Sequence, residues 1–408
     1  MRYDFTSILD RTGKDAKAVE LINIPNATIQ EGFDRIPMWI ADMSFPTVDT
    51  IVEELKARAM HPAYGYFLPT DEYFESIIGW HRGRKGVSDL KREYIGYENS
   101  VLGGMNTALK VLCSPGDNVL IHSPTYIGFT AAIENNGYHM VRSDLKLDES
   151  NIWRMDFEDM EQKIVEKKIH TAVFCSPHNP CGRVWEHDEL EKMMNLFKKY
   201  NVYVISDEIW SDILLDHHHH IPLQSISEDA KSRVIALYAP SKTFNLAGLV
   251  GSYHIIYDDW LRGRVEKEAS LSHYNMMNVL SMHALIGAYK REGCQWCDEL
   301  CQVLTHNVDY ACDFIQKHFH GVTLSKPEAT YMLFLNCSGW CKAHGKSFDE
   351  LLRAGVAVGV IWQDGRRFFG ENCIRINLAL PFSRMQEALQ RLDQYVFNET
   401  AANKGGLL

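Results

Sequence analysis

The sequence predicts an α/β domain built on a mostly parallel sheet, followed by a smaller α+β domain. Three observations predict it. Between about residues 95 and 256, short apolar runs alternate with helical stretches. A second apolar pattern follows from Tyr331. The polar residues that invite chemistry fall just after the apolar runs, where an open parallel sheet collects its ligands.

The 408 residues suffice for two domains with a sizeable core. The net charge of -11 argues against nucleic acid, which favours clustered Lys and Arg. No window approaches the ~18 apolar residues of a membrane span. Met1 to Lys14 has no apolar core of a secretory signal. Ten cysteines without a framework spacing then read as reduced thiols, and the expected location is the cytoplasm.

Taken in order, residues 1–48 are irregular, punctuated by Pro25, Pro37 and Pro46, and read as an arm joining the small domain. Thr50 to Met60 is helical, with Thr47 or Asp49 as candidate cap. His61 to Thr70 is a loop and Tyr73 to Lys85 an amphipathic helix. The expected strands are Asn118–His122, Thr171–Cys175, Val202–Ser206, Val234–Leu237 and Ser252–Ile256. The helices between them are Asn106–Cys113, Phe157–Val165 and His187–Tyr200. Trp260 to about Lys317 is mainly helical. Strands at Tyr331–Leu335, Val356–Ile361 and Ile374–Leu380 and a helix Met385–Tyr395 complete the small domain, and the tail after Phe397 frays. The expected domains are 49–285, large, and 286–400, small, with the arm 1–48 added to the latter.

Five features carry chemistry. After the run Val234–Leu237, Pro240-Ser241-Lys242 sets one Lys among apolar and small residues, where a desolvated amine becomes a nucleophile suited to a Schiff base. A solvated Lys is the plain alternative. Gly103-Gly104-Met105 near a helix start suits a phosphate, although a tight turn reads equally well. Asp207, at the end of a strand, is placed to pair with a protonated pyridine nitrogen; a helix cap or salt bridge is the alternative. Asn179, in a loop fixed by Pro177 and Pro180, offers an amide, and Tyr126 a face for a flat ring. Arg375, inside an apolar strand, suits a carboxylate. One ligand accounts for all five, a phosphorylated, cationic aromatic aldehyde that handles amino acids: pyridoxal 5'-phosphate.

Longer strings carry a resemblance. They are Pro37-Met38-Trp39-Ile40-Ala41-Asp42-Met43-Ser44-Phe45-Pro46, Gly65-Tyr66, Cys175 through Trp185, Ser206-Asp207-Glu208-Ile209, Ala239 through Gly248, and Arg375-Ile376-Asn377-Leu378-Ala379. Over nearly its whole length the chain resembles the fold-type-I pyridoxal-phosphate transferases. Within them it is similar to the MalY/PatB group of cystathionine β-lyases and cystalysin-like C–S lyases. The resemblance implies a homodimer with shared sites and a small sulfur amino acid as substrate. Lys242 would bind the cofactor and move the Cα proton, Asp207 would pair with the ring nitrogen, and Asn179 would donate to the 3'-oxygen. Tyr126 would stack on the ring. The Gly104 and Met105 amides, the Ser241 hydroxyl and Tyr66 of a neighbouring subunit would hold the phosphate. Arg375 would hold the substrate carboxylate, with Trp39, Arg366 and Arg367 as further candidates at the substrate.

The implied reaction is β-elimination to a thiol, pyruvate and ammonia. An aminotransferase is the alternative, and a regulatory binding protein on the same fold is the alternative of another class. The chain departs from the group's pattern at Trp210, where His is common, at Ile127, and in the shortened glycine run Phe369–Ile374. The usual Lys-Trp-Asp near the start is missing. Cys294, Cys297 and Cys301 share one helix face, read as buried rather than metal-binding, and the His217–His220 run reads as a loop without a metal role. Arg366 and Arg367 read most simply as solvated.

Overall fold

The computed structural model describes residues 1–249, 251–272 and 275–398. Val250 of the lysine stretch, His273 and Tyr274 of the helical stretch, and the tail beyond Asn398 lie outside the described residues. The chain divides into two units. The large one holds Thr47–Asn179 and Arg183–Asp298; the small one holds Met1–Pro46, Pro180–Gly182 and the chain from Glu299 on.

The large unit is built on seven strands: β1 (Ile95–Glu98), β2 (Asn118–Ser123), β3 (His139–Asp144), β4 (Thr171–Cys175), β5 (Tyr203–Asp207), β6 (Val234–Tyr238) and β7 (Ser252–Ile255). Their order across the sheet is β1-β7-β6-β5-β4-β2-β3. The five strands from β6 to β3 run parallel, and β7 and β1 close one edge antiparallel. β4 and β6 are buried at every residue, which is why they read as unbroken apolar runs and not as alternation. Side chains still alternate in direction. Leu120, Ala172, Phe174, Val204, Val234 and Ala236 enter one core cluster. Val119, Ile121, Val173, Cys175, Ile205, Ile235 and Leu237 enter another, together with Val101, Met105, Ala108 and Leu109 of helix Val101–Leu112.

Local chemistry sets the helix ends. His187–Tyr200 starts with a capping box between Glu186 and Glu189 and ends at Asn201 in the left-handed region. Asp71–Lys85 is capped by Thr70 and ends on Gly86 at φ +67°. Asp49–Ala59 differs from expectation: Val48 sits at its cap without a side-chain bond, and the Thr47 hydroxyl instead donates to Phe244 O at 2.8 Å. β3 was not expected as a strand. It lies at the sheet's edge and is largely exposed, so His139-Met140-Val141-Arg142 carries no clean period.

In the small unit, β8 (Thr323–Leu324), β9 (Met332–Asn336), β10 (Gln363–Asp364) and β11 (Cys373–Asn377) form an antiparallel sheet in the order β8-β9-β11-β10. The arm joins this unit through Ile36–Pro37, parallel to Val360–Ile361. The expected strand Val356–Ile361 is a strand only at its end. Val356 belongs to helix Phe348–Ala357, whose Ser347/Glu350 capping box fixes its start, and Gly359 at φ +84° makes the turn between the two. Among the described residues no helix is long and apolar enough to cross a membrane.

Candidate active site

Four of the parallel strands deliver candidate residues at their carboxyl ends. β2 leads to Tyr126, β4 to Asn179, β5 ends in Asp207, and β6 leads to Ser241 and Lys242. Polar bonds tie these ends together. Ser176 N–H donates to Asp207 O at 2.9 Å, joining the loop after β4 to β5. His178 Nε2 lies 2.7 Å from Pro124 O, joining the same loop to the one after β2. A carbonyl only accepts, so His178 carries its proton on Nε2, and burial pushes its pKa down to about 4. No pattern in the sequence singles out His178.

Asn179 is buried. The Tyr126 ring meets Phe129 edge-on at 5.4 Å. Gly128 leaves room for it, since a Cβ there would stand 2.4 Å from the ring. Asp207 is 4% exposed, and one of its oxygens accepts the Ile209 N–H at 3.1 Å. Burial raises its pKa to about 7, against the opposing pull of that amide and of the Lys242 charge.

Glu208, the next residue, is fully buried and densely bonded. It lies 2.8 Å from His220 Nε2 and accepts from the Tyr238 hydroxyl at 2.6 Å, Ser206 Oγ at 2.9 Å and Leu223 N–H at 3.0 Å. Burial pushes its pKa up, but His220 and the other donors outweigh burial and hold it below the ordinary value. One histidine of the 217–220 run thus has a structural task that sequence reading missed.

The Lys242 ammonium lies 5.9 Å from the centre of the Trp210 ring, the position where the group often has His. Its neighbour Thr243 is fully buried and donates to Asp212 Oδ2 at 3.1 Å. Asp212 is held by Lys85 at 2.6 Å and by the Trp80 indole at 3.0 Å. A tight turn closed by Phe244 N–H to Pro240 O and Leu246 N–H to Ser241 O carries the lysine.

The phosphate end differs from expectation. Helix Val101–Leu112 begins five residues earlier than the apolar spacing suggested, capped by Ser100, whose hydroxyl accepts the Gly103 N–H. Gly104 N–H donates to Ser100 O at 2.8 Å, and Met105 continues the same ladder. Neither amide is available to an anion. Those without an intrahelical partner belong to the very first turn, at Val101 and Leu102. Gly104 serves packing instead, since a Cβ there would stand 2.9 Å from both Glu98 and Leu237.

In the small unit Arg375 is buried on β11. Its Nη2 donates to Trp39 O at 3.0 Å, and its guanidinium lies 4.5 Å from the centre of the Phe368 ring. The Trp39 indole donates to Ala18 O at 3.1 Å, so the side chain anchors the arm while the carbonyl orients Arg375. Arg366 is exposed and paired with Asp349 and Asp364, each at 2.7 Å; Arg367 is exposed. Tyr66 of the large unit is fully exposed, in a stretch with exposed Tyr64 and Leu68.

The model of the family described as "Aminotransferase class I and II" matches residues 36–392. Cystathionine beta-lyase PatB of Bacillus subtilis (strain 168) is 32% identical over 361 residues, 88% of this chain and 92% of that protein. A PLP-bound putative aminotransferase from Clostridium difficile 630 superposes with a TM-score of 0.87 at 33% identity, covering 96% of this chain and 99% of the other. A PLP-bound C–S lyase from Staphylococcus hominis gives 0.86 at 30%, covering 96% and 98%. The chain has the fold-type-I transferase fold and belongs to the class I and II aminotransferase family, within it to the group of cystathionine β-lyase PatB.

Proposed function

We propose that this chain is a pyridoxal-phosphate-dependent C–S lyase that cleaves cystathionine- or cysteine-type amino acids to a thiol, pyruvate and ammonia. The likeness to PatB along 92% of that protein's length carries the lyase reading. Asp207 supports the cofactor. A buried carboxyl with one amide donor sits between protonation states near neutrality, and a cationic ring nitrogen would hold it ionised.

When bound, the cofactor supplies an electron sink for the pair released at Cα. The chain's own residues do the rest. Lys242 would hold the cofactor through its amine and, with substrate bound, would take the Cα proton. Asn179 would hold the ring oxygen with its amide, and Tyr126 would offer its face to the ring. The first-turn amides of Val101–Leu112 and the Ser241 hydroxyl would receive the phosphate. Tyr66 would reach the phosphate of a second copy, in a homodimer with shared sites. Arg375, oriented by Trp39 O, takes the substrate carboxylate with its fork. A thiolate then leaves Cβ. Ten free cysteines fit a reducing cytoplasm.

An aminotransferase is the second reading, favoured by the name of the Clostridium difficile structure. One experiment separates the two: incubation with cystathionine, cysteine or S-alkylcysteines in the absence of any keto acid. The lyase releases pyruvate over many turnovers. A stop after one equivalent overturns the lyase in favour of the aminotransferase.

A further inference from the structure

Cys294 and Cys297 stand one helical turn apart near the start of helix Arg291–His318, and all ten cysteines are free thiols. A single guanidinium faces both. Arg84 Nη1 donates to Cys294 Sγ at 3.1 Å, and Arg84 Nη2 donates to Cys297 Sγ at 3.5 Å. Arg84 is itself fixed, paired with Asp298 at 2.8 Å and lying 5.1 Å from the centre of the Trp80 ring. The two thiols differ in access: Cys294 is half-buried and Cys297 is fully buried. Among the described residues, the sets of three side chains spaced to hold a metal ion are Cys113–Asp117–His170 and His187–Asp188–Glu191, and neither includes this pair.

We propose that Cys294 and Cys297 form a thiol pair that reacts reversibly with low-molecular-weight disulfides. Cys294 is the attacking thiol, because a small disulfide reaches it and not Cys297. Its sulfur bonds to one sulfur of the disulfide RSSR, giving Cys294–S–S–R and one RSH. Cys297 then attacks the Cys294 sulfur, the disulfide bond between that sulfur and the SR sulfur breaks, and a second RSH leaves. Two electrons and two protons pass from the cysteines to RSSR. Negative charge develops on sulfur in both steps, and the Arg84 fork faces both sulfurs.

Residues three apart on a helix hold their Cβ atoms ~5–6 Å apart, against ~3.5–4.5 Å in a disulfide, so closing the bond draws the first turns together. Such a bond is readily reduced, which suits reversible modification and not a permanent brace. Closing it also withdraws the Cys297 S–H from Asp212 O, its acceptor at 3.5 Å. Asp212 is the residue that holds Thr243 beside Lys242.

The test treats the purified, cofactor-loaded enzyme with bis(2-hydroxyethyl) disulfide, which has no amino acid group and is no substrate. Free thiols are then alkylated and the peptides mapped by mass. The expected product links Cys294 to Cys297, two hydrogens lighter and without an adduct, formed ahead of adducts on Cys113, Cys301 and Cys341, which are also half-buried. Cys297→Ser should stop at an adduct on Cys294. Arg84→Lys keeps the charge but loses the fork, and should form the same product roughly tenfold more slowly. The cofactor's visible absorbance reports that each variant is folded. A lasting adduct on Cys294 in the wild type, reaction no faster than at Cys341, or an unchanged rate in Arg84→Lys each overturns the proposal.

Discussion

Asp207 and Glu208 are consecutive acids at the end of one strand, and they serve opposite ends. Asp207 follows Ile205 toward the cluster under helix Val101–Leu112 and meets one backbone amide. Glu208 turns to the other side, toward Tyr238, and meets donors from four residues. Both are buried, so desolvation acts on both. The difference lies in supply. A buried acid with a full set of donors belongs to the scaffold, whereas one left with a single amide is kept for something that arrives. Damage should therefore sort by the side of the sheet on which it falls.

On the Asp207 side, Lys242→Ala should abolish turnover and the covalent link while leaving the fold intact. Borohydride should fix the cofactor on Lys242 in the wild type, and a label on another lysine breaks the assignment. On the other side, Glu208→Ala strands His220, leaves Tyr238 to Gln224, and should lower unfolding stability by about 3–5 kcal/mol in denaturant titrations. Asp207→Ala should leave the stability of cofactor-free protein unchanged or higher, yet lose cofactor affinity and turnover. Equal destabilisation by the two variants would erase the contrast.

Their pH responses should also oppose. Without cofactor, Asp207 has a folded pKa near 7, above its ordinary 3.8. Its contribution is complete below 3.8 and is lost as pH rises through about 7, so Asp207→Asn should flatten a decline of a few kcal/mol across that window. Glu208 is held below its ordinary 4.5, so its contribution is present above 4.5 and is lost as pH falls through its lower folded value. Thermal melts from pH 3 to 8 compare the two. Arg375→Lys should weaken kcat/KM by about 2–4 kcal/mol, with the cofactor absorbance unmoved. The smallest effect belongs to the loop before β11. Arg366 is already paired with Asp349 and Asp364, so Arg366→Ala and Arg367→Ala should leave the ratio of cystathionine to S-methylcysteine turnover unchanged. A tenfold shift in that ratio would bring the loop into substrate selection.

The central strands were legible because burial on both faces leaves a plain mark, an apolar run ended by Pro, Ser or Asp. The same ends carried Asp207, Asn179 and Lys242 into view. The start of helix Val101–Leu112 was hidden, because Gly103 and Gly104 look like a turn and only the fold presses Gly104 against Leu237. Glu208 was hidden for a related reason. Its partners His220, Tyr238 and Leu223 lie 12 to 30 residues away in sequence, and no local pattern announces a pairing made by the sheet. The fork of Arg84 over Cys294 and Cys297 joins residues about 210 apart, so a cysteine face on a helix read only as packing.

The pairing of β1 with β7 has a consequence for synthesis. Their paired residues lie roughly 150 positions apart in the chain, and at ~5–20 residues per second a nascent chain waits on the order of ten seconds between making one and making the other. Helix Val101–Leu112 waits too, because Gly104 seats against Leu237 of β6. Through that interval its apolar face lacks Ile235, Leu237, Leu261 and Val265 of its cluster, and holding factors near the ribosome would find their target there. Ribosome-stalled chains ending before Val234 and well after Ile255 should differ in protease protection of residues 101–112. Equal protection would mean that the helix is sheltered before its sheet exists.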